Sequence, residues 1–185
     1  MFHLSLEGKT CLVTGGTAGI GLEISKAFAA NDATVIITGR DDIRGQNALE
    51  EVQKSSDKSN HMFYKCDSGK ADEIESTCKK IISSFDSIDI IVLNAATEFA
   101  ESINEIKIDN WDRVFDVNVK GVFCFIKHLS FRMIEKKKGN IIIIGSVVSS
   151  TGAGGGMHYT ASKSALKGIS ARINYELHSS VCYNL

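Results

Sequence analysis

Proline is absent from all 185 residues, where average usage of about 5% would place about nine. No Pro-rich linker or low-complexity stretch divides the chain. Excess charge is also lacking: the net charge is −1 with 23% charged residues, which excludes the basic surface that nucleic acid or an anionic membrane would attract. No run of about 18 apolar residues occurs, and no charged segment followed by a short apolar run opens the chain. A cytoplasmic location is therefore the expectation.

The five cysteines, Cys11, Cys66, Cys78, Cys124 and Cys182, are scattered and form no C-x-x-C pair, which argues against a disulfide framework or a zinc site. They are expected to be reduced and mostly buried. The five histidines, His3, His61, His128, His158 and His178, have no spacing that would set two imidazoles on one helix face, and no metal is expected. Hydrophobic residues make up 43% of the chain, and a chain of this size buries about 70% of the surface its unfolded form exposes. One domain spanning residues 1–185 is the reading.

Short apolar runs alternate with longer segments of helical period, the pattern of βαβ units feeding a parallel sheet buried on both faces. Strands are predicted at 10–14, 34–38, 61–66, 88–93 and 140–145, and helices at 19–30, 42–54, 71–85, 109–137 and 159–178. Asp41 and Asp109 stand where they would cap their helices. The fold class is α/β, a doubly wound parallel sheet with helices on both faces. The run Lys136-Lys137-Lys138 suits a solvated helix end.

Thr14 ends the first strand and a helix starts near Gly19, so Gly15, Thr17, Ala18, Gly19, Ile20 and Gly21 form a strand-to-helix turn. Bare backbone N–H groups there can hold a pyrophosphate. The spacing is G-x-x-x-G-x-G, and the same residues also suit a tight turn without a ligand. About twenty residues on, the second strand ends Ile37-Thr38-Gly39-Arg40. A carboxylate there would bond a ribose 2′-hydroxyl, whereas Gly39 with Arg40 favours a 2′-phosphate. NADP is thus preferred, with NAD possible in its place, and Asp41 and Asp42 dilute the positive field. Arg40 also reads as a plain surface arginine at a strand end.

Tyr159 and Lys163 are four residues apart, so on a helix they share one face. The ammonium favours the phenolate form of a group whose ordinary pKa is about 10, giving an acid–base residue usable while hydride passes to or from a nicotinamide. Ser146 follows Ile141-Ile142-Ile143-Ile144-Gly145 at the carboxyl end of a buried strand, where its hydroxyl can steady a substrate oxygen. Ser149 and Ser150 are equal candidates on position alone.

Together with Asn94-Ala95-Ala96 and Asn118, these motifs occur in the order and spacing of the short-chain dehydrogenase/reductase family, which the chain resembles over nearly its whole length. The resemblance implies a Rossmann-type sheet of order 3-2-1-4-5-6-7. It implies that Tyr159 is the acid–base residue, with Lys163 its electrostatic partner and a ligand of the nicotinamide ribose. Ser146 would orient the substrate and Asn118 would anchor a relay water. Asp67 would bind adenine, with a helix cap as its other reading, and Asn94 with Ala95 would line the cofactor cleft. Leu93 and Ala96 depart from the family's N-N-A-G element, and Ala18 lacks the basic side chain of many NADP-preferring members. A homodimer or homotetramer is implied for a complete member, with a carbonyl or secondary alcohol as substrate: a 3-oxoacyl group, a keto-steroid or a sugar-like ketone.

The family continues past the tyrosine helix with a Pro-Gly turn, a substrate lid and a seventh strand, whereas Val181-Cys182-Tyr183-Asn184-Leu185 resembles only the start of a sixth strand. The expectation is a fold lacking its last strands, with strand five near an open edge and prone to self-association. Two functions follow from this: an NADP-dependent oxidoreductase impaired by truncation, or a non-catalytic nucleotide-binding remnant acting through protein partners.

Overall fold

Runs of β-branched and aliphatic residues build the centre of the protein. In the computed structural model, which describes residues 5–57, 60–177 and 182–184, they form β1 (Thr10–Thr14), β2 (Thr34–Gly39), β3 (Met62–Lys65), β4 (Ile90–Leu93), β5 (Asn140–Ile143) and β6 (Cys182–Asn184). All pair in parallel in the order β3-β2-β1-β4-β5-β6. The crossovers are α1 (Gly19–Ala30), α2 (Asp42–Lys54), α3 (Ala71–Ser84), α4 (Ile108–Phe115) continuing through a π-helical turn (Asp116–Gly121) into α5 (Val122–Lys136), then α6 (Val148–Thr151) and α7 (Met157–Leu177).

Side chains alternate across the strands, and register turns that alternation into layers. Ile36, Leu12, Ile91 and Ile141 stand opposite one another across four strands, each fully buried against Ile81 of α3, Phe125 and Leu129 of α5, and Leu166 of α7. The opposite face sets Cys11, Val35 and Ile37 against Ala29 of α1 and Ala48 and Val52 of α2. Each large apolar side chain removed from water in this way contributes about 2 kcal/mol before its entropy cost. Strand order reverses between β1 and β4, and the crevice beyond their carboxyl ends is where such sheets bind ligands.

Several boundaries differ from the sequence reading for identifiable reasons. β3 starts at Met62 because His61 turns its imidazole Nδ1 to accept the Val35 N–H at 3.1 Å. Asp41 caps α2, accepting the Arg44 N–H at 2.9 Å. Asp109 does not cap: the cap position of α4 is Lys107, and Asp109 lies inside the first turn, where its charge still complements the helix N-terminus. The single helix expected over 109–137 is divided by the π turn. The predicted helix end at His178 and the strand residues Val181 and Leu185 lie outside the described residues.

The expectation that strand five loses most or all of its neighbour and lies near an open edge is refined: a three-residue β6 covers it and is itself the edge strand among the described residues. β6 pairs with β5 through Asn140↔Cys182, Ile141↔Tyr183 and Ile142↔Asn184. Of the four consecutive isoleucines, Ile141 and Ile143 are buried in the core. Among the described residues, no helix is long and apolar enough to cross a membrane.

Candidate active site

The turn after β1 is shaped by two glycines in the left-handed region, Gly15 at φ +63° and Gly19 at φ +53°. Gly21 lies beneath it, so close that an added Cβ would run into the Gly15 carbonyl oxygen and stand 2.5 Å from Asn94 Nδ2. The N-cap of α1 is Ala18, extended and without a capping side chain, and the first turn holds no acidic residue. Its leading N–H groups and the positive end of its dipole therefore face outward uncompensated. A cleft of about 320 Å³ opens there, bordered by Gly15, Thr17, Ala18, Arg40, Asp67, Asn94 and Ala95. Gly19 and Ile20 are exposed at the start of α1 beside it, and Gly21 is buried.

Asn94 laces the carboxyl end of β4 to this turn. Its Nδ2 donates to the carbonyls of Thr14 (3.1 Å) and Gly15 (3.2 Å). The buried Thr14 hydroxyl completes the joint, accepting the Asn94 and Ala95 N–H groups at 3.0 and 3.1 Å and donating to Val92 O at 3.4 Å. Leu93 and Ala96 thus stand beside a joint that Asn94 and Thr14 make unaided.

At the far end of the cleft Arg40 is exposed. Its acidic neighbours have other partners: Asp41 caps α2, and Asp42 pairs with Lys65 at 2.5 Å. Asp67 Oδ1 accepts the Gly69 N–H at 2.9 Å and Arg113 Nη2 at 2.8 Å. Burial works to raise the Asp67 carboxyl, but the Arg113 and Gly69 hydrogen bonds and the nearby positive charges outweigh it, leaving the group below the usual carboxylate range. Asp67 is not a helix cap, since α3 begins after Lys70.

Tyr159 and Lys163 lie on the first turns of α7, the ammonium 5.8 Å from the phenol ring centroid. Lys163 is 4% exposed and donates to Ile144 O at 2.8 Å. Burial holds it below the ordinary lysine value. Ile144 N–H in turn donates to Leu93 O at 3.0 Å, so backbone bonds join the lysine to the Asn94 lacing. The half-buried Ser146 hydroxyl has only a 3.4 Å contact from the Val148 N–H. Its two rivals are engaged: Ser149 Oγ donates to Ser146 O at 2.7 Å, and Ser150 Oγ accepts Lys167 Nζ at 2.7 Å.

Asn118 is buried in the π turn. Its Oδ1 accepts the Thr97 N–H at 2.8 Å, and Nδ2 donates to Thr97 O and Ser162 Oγ, both at 3.0 Å. Ser162 Oγ then donates to Tyr159 O at 2.7 Å. Both amide donors are therefore engaged by protein. Thr14, Thr97, Arg113 and Ser162 are the contributors that sequence reasoning missed. Arg113 meets Asp67 across 46 positions, and no local spacing signals such a pair.

Residues 9–182 match the short chain dehydrogenase family. The chain belongs to that family. This short chain dehydrogenase is 38% identical over 176 residues to (+)-borneol dehydrogenase 2 of Salvia officinalis, covering 94% of this chain and 61% of that enzyme. It is 34% identical over 176 residues to the 3-oxoacyl-acyl-carrier-protein reductase FabG of Escherichia coli, covering 95% of this chain and 70% of that one. A metagenomic short-chain oxidoreductase solved in complex with NADP superposes with a TM-score of 0.91 at 28% identity, over 98% of this chain and 82% of that one. The chain thus spans less than two thirds of the length of the Salvia relative.

Proposed function

We propose that residues 1–185 form one dinucleotide-binding domain of an NADP-preferring oxidoreductase that interconverts a carbonyl and a secondary alcohol. The observation that carries this reading is the buried Lys163 ammonium, fixed on Ile144 O at 2.8 Å and 5.8 Å from the Tyr159 ring, and joined through Ile144, Leu93 and Asn94 to a glycine turn that leaves a helix N-terminus uncapped. The residues fit the dinucleotide: an uncompensated helix start suits a pyrophosphate, and side chains at Gly15 or Gly21 would press on Ala95, Asn94 and the Gly15 carbonyl and displace the turn that presents it. Gly15, Thr17, Ala18, Gly19, Ile20 and Gly21 would hold the phosphates, Arg40 the 2′-phosphate and Asp67 the adenine. Asn94 and Ala95 would border the cofactor, and Lys163 would reach the nicotinamide ribose.

When bound, the dinucleotide supplies or accepts the hydride. Tyr159 donates a proton to the carbonyl oxygen in reduction and takes it from the alcohol in oxidation. The Lys163 ammonium, 5.8 Å from the ring centroid, faces the negative charge that proton donation leaves there. Ser146, whose hydroxyl has no strong competing partner, holds the substrate oxygen in line. Asn118 positions both sides of the site, joining Thr97 to the Tyr159 turn through Ser162. The substrate class is a ketone of the 3-oxoacyl, keto-steroid or sugar-like kind. Phe123 and Tyr175, 54% and 78% exposed on α5 and α7, favour a homodimer or homotetramer for the whole protein.

The test is hydride transfer to a panel of ketones with NADPH and with NADH, followed at the nicotinamide absorbance, in wild type and Tyr159→Phe. Turnover in the wild type and none in the variant is expected, with the NADPH-induced thermal shift kept in both. Turnover that survives in Tyr159→Phe would overturn the assignment of the acid–base residue.

A further inference from the structure

Two features at the adenine end of the cleft are unexplained by the reading above. Arg113 reaches from α4 to the turn after β3 with its guanidinium only partly exposed, and it packs against that turn without spare room. An added Cβ on Gly69 would collide with Arg113 Nη1 and stand 3.0 Å from Arg113 Cζ. A Cβ on Gly121 of the π turn would collide with the Ser68 carbonyl oxygen. Asp67, Ser68 and Gly69 are thus clamped between α4 and the π turn.

The carboxylate is fixed within this clamp. Asp67 Oδ1 takes both the Gly69 N–H, which closes an Asx turn, and Arg113 Nη2. Asp67 N–H is held separately by Glu73 Oε2 at 2.9 Å. Both side-chain bonds fall on Oδ1 and neither on Oδ2, while Asp67 and Arg113 both border the cleft. A carboxylate held at one oxygen presents the other in a fixed direction as an ionised acceptor.

We infer that Arg113 is a positioning residue that sets Asp67 to select a purine carrying an exocyclic amino donor. This rests on the proposed adenine role of Asp67. An acceptor so fixed rewards a 6-amino group and meets a 6-carbonyl with repulsion, the unpaired-polar mismatch that discriminates strongly in enzyme sites. Arg113 touches no reacting atom in this reading and acts only through Asp67. It also stands in the same helical stretch as Asn118, so one element holds both ends of the cleft.

The experiment measures dissociation constants, by calorimetry on the 185-residue chain, for NADPH and for its hypoxanthine counterpart, in which a carbonyl replaces the 6-amino group. Wild type is expected to prefer adenine by about tenfold or more. Arg113→Met is expected to bring that preference within about threefold of unity, with Arg113→Lys between. Gly69→Ala, which presses a methyl onto the guanidinium, reproduces the loss if Arg113→Met fails to fold. A merely structural arginine would weaken both ligands equally, and an unchanged ratio in the variants overturns the inference. Wild type binding both ligands alike would instead overturn the adenine role of Asp67 and the inference with it. Wild type binding neither would overturn the cofactor reading as well.

Discussion

Lys163 carries its ammonium into the protein interior and anchors it on one backbone carbonyl, Ile144 O at 2.8 Å. Because burial lowers the lysine pKa in the folded state, the unfolded chain binds more protons at that group. Stability therefore rises with pH: the deficit is complete below the folded-state value and disappears as pH approaches the ordinary lysine value of about 10.4. The melting temperature of wild type minus that of Lys163→Met is expected to rise between about pH 7 and pH 10, as read by calorimetry, while hydride transfer is lost in the variant. A flat difference would mean that Lys163 titrates alike in both states.

The glycine turn separates two kinds of glycine requirement. Gly21→Ala puts a methyl into the Gly15 carbonyl, a backbone neighbour that cannot swing away, and overpacking of this kind costs about 1–3 kcal/mol. Gly19 has open space where a Cβ would stand but sits at φ +53°, which costs a non-glycine residue about 1–2 kcal/mol. Urea unfolding is expected to show both losses, and the NADPH thermal shift should disappear in Gly21→Ala. Wild-type stability with a full shift in Gly21→Ala would show that the turn adapts.

Much of this was legible in the sequence where periodicity carried it. The observed β1, α1 and α2 begin and end where the apolar pattern and Asp41 place them, and the four-residue step from Tyr159 to Lys163 sets both on one face of α7. The π turn was not legible, since one extra residue in a helical turn leaves the local composition unchanged, and only the packing of Gly121 on Ser68 O reveals its place. Nor was α6: Val148–Thr151 is a run of β-branched residues and serines, poor helix formers. Thr97 and Ser162 became visible only once folding brought Asn118 between them.

The buried thiols give a probe of opening that needs no substrate. Burial pushes Cys11 and Cys78 up to about 12 and Cys66 up to about 11, so at neutral pH the reactive thiolate is nearly absent in the folded protein. Labelling by a disulfide reagent is expected to occur at one common slow rate for all three, set by unfolding. If NADPH binds the folded state as proposed, it should slow all three by the same factor. Rapid labelling of Cys66 alone would show instead that the cleft opens locally.

In the proposed reading cofactor choice turns on Arg40, and its surroundings decide how strongly. Asp41 and Asp42 would oppose a 2′-phosphate if they were free, but one caps α2 and the other is paired with Lys65, so the net local field is less negative than composition suggests. Gly39 keeps the strand end bare, and an added Cβ would come within 2.5 Å of Thr17 Cγ2. A carboxylate beside the ribose would therefore have to displace the glycine turn as well as repel the phosphate. Arg40→Ala is expected to weaken NADPH by about 10-fold to 100-fold, the range for hydrogen bonds to a charged group, and to leave NADH within about twofold. The loss should shrink as salt is raised, because Arg40 is exposed and its charge is screened. Equal weakening of both cofactors in calorimetric titrations would mean that Arg40 supports the turn without reading the phosphate, and would overturn the proposed preference for NADP.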